Sequence, residues 1–179
     1  MANGKPTSPL VFTALFLCIV VVSLFMRLLP LGLSPDTWPM PNLLVCLTFA
    51  WVLRRPDYLP ALVIGAVFFA EDLLLLRPPG LWALLVLLGS EFLRRRGAGL
   101  RGVTIVLELA IVSAVLLAMT LAYRVILAIV MVPQAPLGLS MGQFIGTVVA
   151  YPVVVMVSHF VFNVRKPATG EVDAIGRRV

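Results

Sequence analysis

LPALVIGAVFFAEDLLLLRPPGLW, the segment from Leu59 to Trp82, sets the reading of the whole chain. An apolar run from Ala61 to Ala70 is followed by Glu71-Asp72, by Leu73 to Leu76, and by Arg77-Pro78-Pro79-Gly80. The pattern predicts a membrane-spanning helix with two adjacent acids in its outer half and a hard stop at its end. A charge inside a spanning segment costs about 2.5–3.5 kcal/mol on insertion scales, so such acids are rarely idle. Neighbouring residues point about 100° apart around a helix, so Glu71 and Asp72 address different surroundings. Arg77 is off the three- or four-residue spacing at which helical side chains meet, which places the acids' expected partner on another helix.

Working outward, composition agrees with this reading. The 179 residues are 61% hydrophobic and only 12% charged, with a mean hydropathy of +1.07. A soluble domain of this size cannot bury so much apolar surface, and repeated apolar runs near spanning length predict an all-α, polytopic membrane protein. The length leaves room for about six transmembrane helices and no sizeable soluble domain. We expect a cytoplasmic tail over 1–9, one membrane domain over 10–163, and a polar, disordered tail over 164–179. Cys18 and Cys46 both fall in apolar runs without metal-ligand or redox spacing, and nothing in the sequence calls for a cofactor or metal.

In chain order, Leu10 to Leu29 reads as a first span, retained rather than cleaved as a signal peptide. A turn-rich loop from Pro30 to Pro41 follows, with Trp38 expected at the membrane interface. Asn42 to Leu53 is a short second run and Leu59 to Leu76 the third. Gly80 to Leu93, Val103 to Val132 and Gly142 to Phe162 complete the set, with a loop expected from Pro133 to Ser140. Long helices that stop at Pro30, Pro78 and Pro133 and return to basic clusters give three helical hairpins. With the N-terminus inside, Lys5, Arg54, Arg55, Arg94, Arg95, Arg96, Arg101, Arg165, Lys166, Arg177 and Arg178 lie inside. These are 11 of the 14 basic residues, so both termini are expected in the cytoplasm. Arg27, Arg77 and Arg124 then sit near outer helix ends.

Arg27, Asp72 and Arg124, with Glu71 beside Asp72, form the candidate charge cluster; the competing reading has the arginines snorkelling to headgroups. Glu91 and Glu108 flank the Arg94–Arg101 cluster and read as local neutralisation, with Glu108 a full turn inside its span. His159 reads as a packing residue, since one histidine does not make a metal site. Gly138, Gly142 and Gly146 repeat every four residues, a common helix-packing pattern. Asp36 and Asp72 lack the further motif an intramembrane aspartate protease needs, and no hydrolase elbow, zinc-protease or P-loop signature is present.

One set of residues carries a resemblance: Pro41-Asn42-Leu43-Leu44, Ala50-Trp51, Arg55-Pro56, Gly65, Asp72-Leu73-Leu74 and Pro79-Gly80-Leu81. In this order they resemble the rod shape-determining MreD family, densest from Pro41 to Trp82. The chain departs from the family pattern in its doubled acid, in Pro78-Pro79-Gly80 and in a longer tail. The resemblance implies a non-enzymatic scaffold of the bacterial inner membrane, active in cell elongation and the regulation of peptidoglycan synthesis. Its implied partner is MreC, and through it RodA with its penicillin-binding partner, and MreB. It also implies a six-helix fold like that of vitamin-transporter substrate-binding subunits. That likeness supplies an alternative function, a membrane subunit that binds a small molecule. If the scaffold reading holds, Trp38, Asn42, Pro79, Gly80 and Leu81 are the expected partner contact.

Overall fold

The computed structural model describes residues 9–28, 40–97 and 104–160. Both tails, the loop carrying Trp38, and Arg101 lie outside the described residues. Six α-helices account for almost all of the described chain: α1 (Pro9–Leu28), α2 (Leu43–Arg54), α3 (Ala61–Leu74), α4 (Leu81–Gly97), α5 (Ile105–Ile129) and α6 (Leu137–Phe160), with a 3-10 turn at Pro56–Tyr58. No strand occurs among the described residues. The expected all-α class is what forms.

Three helices, α1, α5 and α6, are long and apolar enough to cross a membrane. The other three have 12, 14 and 17 residues. At 1.5 Å per residue they reach about 18, 21 and 26 Å, short of a hydrocarbon core of roughly 30 Å.

The shortest helix is the centre of the molecule. Every residue of α2 from Leu44 to Arg54 is buried. A helix that is apolar all round has to be covered all round, and α6, α4 and the 3-10 turn pack on it. From α1, Phe12 and Phe16 set their rings against Trp51 at 6.4 and 5.9 Å. Gly89 lets α4 approach, because a Cβ there would lie 2.9 Å from Met119 Sδ and 3.1 Å from both Phe49 and Val115.

The helix ends depart from the sequence reading in two ways. First, α3 stops at Leu74 and α5 at Ile129, each four residues before the proline expected to stop it. Both ends are closed by the same backbone motif. Leu76 and Met131 take positive φ, 53° and 56°. The next residue's N–H then reaches back five positions, Arg77 to Asp72 O and Val132 to Leu127 O, both at 3.0 Å. This is a Schellman closure with a non-glycine residue in the left-handed position. Second, α6 begins at Leu137, inside the stretch expected to be loop. The carbonyl of Pro136 accepts from Leu139 and Ser140; proline's preset φ and missing N–H suit the start of a helix.

Alternating helices put residues into two ends. The end where α1, α3 and α5 finish is called the far end, and the end where they begin the near end.

Candidate functional site

At the far end, the two acids part company. Glu71 lies on the face of α3 turned to α1, and its Oε1 accepts from Arg27 Nη1 at 2.7 Å. Glu71 is fully buried while the Arg27 side chain keeps 21% exposure. Arg27 also donates through Nη2 to Asn42 Oδ1 at 3.2 Å. Asp72, a third of a turn on, faces α4, where its Oδ2 accepts from the N–H groups of Gly80 and Ala83, both at 3.1 Å. The first N–H groups of a helix have no partner within it and carry the positive end of its dipole. Asp72 therefore serves α4 as an N-terminal cap supplied from another helix. Gly80 meets the turn with φ +84°, and a side chain there would touch the Phe69 ring.

The single cluster expected from the sequence is thus divided. Arg27 pairs with Glu71 rather than Asp72. Arg124 does not join them: its Nη1 donates to Ala135 O at 3.1 Å and Ser140 Oγ at 2.6 Å, because the α5–α6 turn folds its own oxygens over the arginine. Gln134 closes the same turn by donating to Arg124 O. Glu71 lies inside the bundle.

Of the expected partner contact, Trp38 lies outside the described residues. Asn42 is a correction: it is 4% exposed, its side chain caps α2 by accepting from Val45 N–H at 3.4 Å, and its own N–H donates to Thr147 Oγ1 at 2.9 Å. The demand of α2 for a cap turns it inward. Pro79 is exposed, and Gly80 and Leu81 are half-buried.

A second polar group closes the near end. Arg54 Nη1 donates to Glu108 Oε1 at 2.8 Å, and Tyr151 donates its hydroxyl to the same oxygen at 2.7 Å. The group ties α2, α5 and α6 together, and the three side chains are buried. This corrects one expectation: Arg54 is not a loop cation. Glu108, a full turn inside its span, pairs with it, and Glu91 lies 3.3 Å from Arg94. Trp51 Nε1 donates to Ser158 Oγ at 3.2 Å and Thr13 Oγ1 to Tyr58 O at 2.6 Å, so α1 and α6 are also pinned there. His159 is half-buried beside Phe160. The sequence hinted at Glu108 by its depth in the span; nothing in it separated Arg54 from Arg55 or singled out Tyr151.

Between α2, α4, α5 and α6 at the far end lies a cavity of about 260 Å³. Arg77, Trp82, Tyr123, Arg124, Gln134 and Ser140 are among its lining residues, with Asn42 and Thr147 deeper towards α2. Trp82 and Tyr123 meet edge to face at 5.5 Å on its wall.

No protein-family model, curated protein or solved structure matches this chain.

Proposed function

We propose that the protein is a non-enzymatic membrane scaffold of the MreD kind, crossing the bacterial inner membrane six times with both termini in the cytoplasm. In this reading it binds MreC side by side and, through it, helps to regulate the RodA–penicillin-binding-protein synthase and its link to MreB during cell elongation. The observation that carries the proposal is the way the far end spends its polar groups. Asp72 fixes the 77–82 turn by capping α4, while Leu76 and Met131, held in left-handed backbone conformations, stay 94% and 90% exposed. Apolar side chains held outward at two turns favour recognition of an apolar protein surface. The face of α3 bearing Gly65 supports the same reading, since nothing approaches that glycine and Leu62 beside it is 82% exposed. Close packing against small residues is the main source of helix association in lipid.

The proposed contact is Pro79 and Leu81 with the Pro30–Pro41 loop and Trp38. Asn42 and Gly80 support it from beneath. Cysteine crosslinking tests it: Trp38→Cys and Leu81→Cys should crosslink to the outer juxtamembrane segment of MreC. Absence of both crosslinks in an assembled complex would remove this surface.

The cavity favours a second reading, a small-molecule-binding membrane subunit. Its 260 Å³ falls just under the roughly 300–1,000 Å³ of ordinary small-molecule sites. Ligand-dependent thermal stabilisation of the purified protein separates the two readings.

A further inference from the structure

We infer that the far-end cavity binds an anionic group, a phosphate or carboxylate carried on a small or partly apolar body. The inference deepens the second reading above and rests on the cavity being a ligand site; it needs no particular protein partner.

The walls are rich in donors and poor in acids. Arg77 and Arg124 both line the cavity, and no aspartate or glutamate does. Among the described residues, the Arg77 guanidinium makes no hydrogen bond or ion pair. Arg124 donates, among the described residues, to the neutral oxygens of Ala135 and Ser140. Of the nearby carboxylates, Glu71 Oε1 pairs with Arg27 and Asp72 Oδ2 accepts from the start of α4; their other oxygens are buried without a partner, and neither residue lines the cavity. Arg27, Arg77 and Arg124 against Glu71 and Asp72 leave one positive charge in excess among the described residues of this end.

A second observation is independent of the arginines. Asn42 Nδ2 and Trp82 Nε1 are buried donors without an acceptor, and both residues belong to the cavity wall. Asn42 is 96% buried, from its 4% exposure, and its Oδ1 already accepts from Arg27 and Val45. Buried polar groups in folded proteins are nearly always paired, so each orphan calls for an explanation. An acceptor-rich anion supplies what every one of these groups lacks. The planar fork of arginine matches the oxygens of phosphate and carboxylate, and the match strengthens away from water. Gln143 also lines the cavity, and Leu116, Leu127 and Phe144 in the same wall suit the uncharged part of such a ligand. The volume takes a headgroup-sized molecule.

The test uses the full chain purified in a neutral detergent and titrated calorimetrically at fixed ionic strength. The probes are inorganic phosphate and dihexanoylphosphatidylglycerol, with dihexanoylglycerol as the control that carries no anionic group. We expect saturable 1:1 binding of at least one anionic probe. Tight binding of phosphate alone identifies a soluble ligand, and preference for the phosphatidylglycerol identifies an anionic lipid headgroup. Gln143→Glu puts a carboxylate into the same wall and should weaken binding at least tenfold, with a Tm equal to or above that of the wild type. Arg77→Gln should weaken it to a similar degree, and if that variant does not fold, Gln143→Glu decides. No saturable binding of either anion, equal affinity for dihexanoylglycerol, or unchanged affinity in Gln143→Glu would overturn the inference. A chain that still captures MreC but binds no anion would fail this inference alone.

Discussion

Glu71 and Asp72 are adjacent in sequence and do different work, and their substitution should show it. Glu71→Gln leaves Arg27 facing a neutral amide inside the bundle. Breaking a buried pair from one side costs about 3–5 kcal/mol, and the partial exposure of Arg27 puts this one at about 3 kcal/mol. Asp72→Asn keeps a carbonyl oxygen for the α4 N–H groups and loses mainly the charge–dipole part, about 1 kcal/mol. Thermal unfolding in detergent should therefore rank Glu71→Gln as the more damaging change; the opposite order would contradict the pairing. The sequence alone does not rank the two acids. It showed that both acids matter, because a spanning segment does not carry charge idly. It did not show which acid met which partner, because a 100° rotation of α3 exchanges their roles and nothing in an apolar run fixes that rotation. The same limit hid Arg54. Arg54 and Arg55 end the same helix, and only the packing of α5 and α6 around α2 selects Arg54 for Glu108. Glu108→Gln should consequently destabilise by about 3 kcal/mol or more, whereas Glu91→Gln, which breaks a surface i,i+3 pair, should change stability by under about 1 kcal/mol.

At the scale of the element, α3 and α5 end alike. Leu76 and Met131 each sit two residues before a proline and each take the left-handed conformation that L-residues resist by about 1–2 kcal/mol. Part of that gain is offset by the greater freedom of glycine in the unfolded chain. Leu76→Gly and Met131→Gly should each raise Tm slightly, by up to about 1 kcal/mol in stability, and a fall in both would show that the exposed side chains stabilise the isolated protein. The prolines were legible as punctuation, but the helices stop four residues earlier because the reversal needs room for the six-to-one hydrogen bond. The start of α6 departs from the sequence reading for a related reason: Pro136 lies in a turn-rich stretch, yet proline opens helices readily. Gly89 passed unnoticed in the sequence, one glycine in an apolar helix, and the crowding of Met119, Phe49 and Val115 gives it a role. Gly89→Val should destabilise by about 1–3 kcal/mol through overpacking, read by the same unfolding assay.

For the whole molecule, the all-helical class was legible because periodic apolar runs of spanning length have few other uses. The depth of each helix was not. The 12 residues of α2 are too few for a lipid-facing span, and they succeed as the buried axis because other helices, rather than lipid, surround them. On the proposed six-crossing topology, reporter fusions should read outside at Ser34 and Gln134 and inside at Gly97 and Ala174. A fusion at Gly97 that reports outside would contradict the six-crossing arrangement. The central proposal is that this bundle acts by holding another membrane protein against its far end and the open face of α3. Its most direct test is purification of the full chain from cells that also express MreC, with the stoichiometry of the isolated complex measured. The account predicts a defined complex that survives neutral detergent and is lost when Leu81 and Gly65 are replaced by bulky residues in a chain that still folds. A chain that folds, inserts and purifies without MreC under those conditions would contradict it.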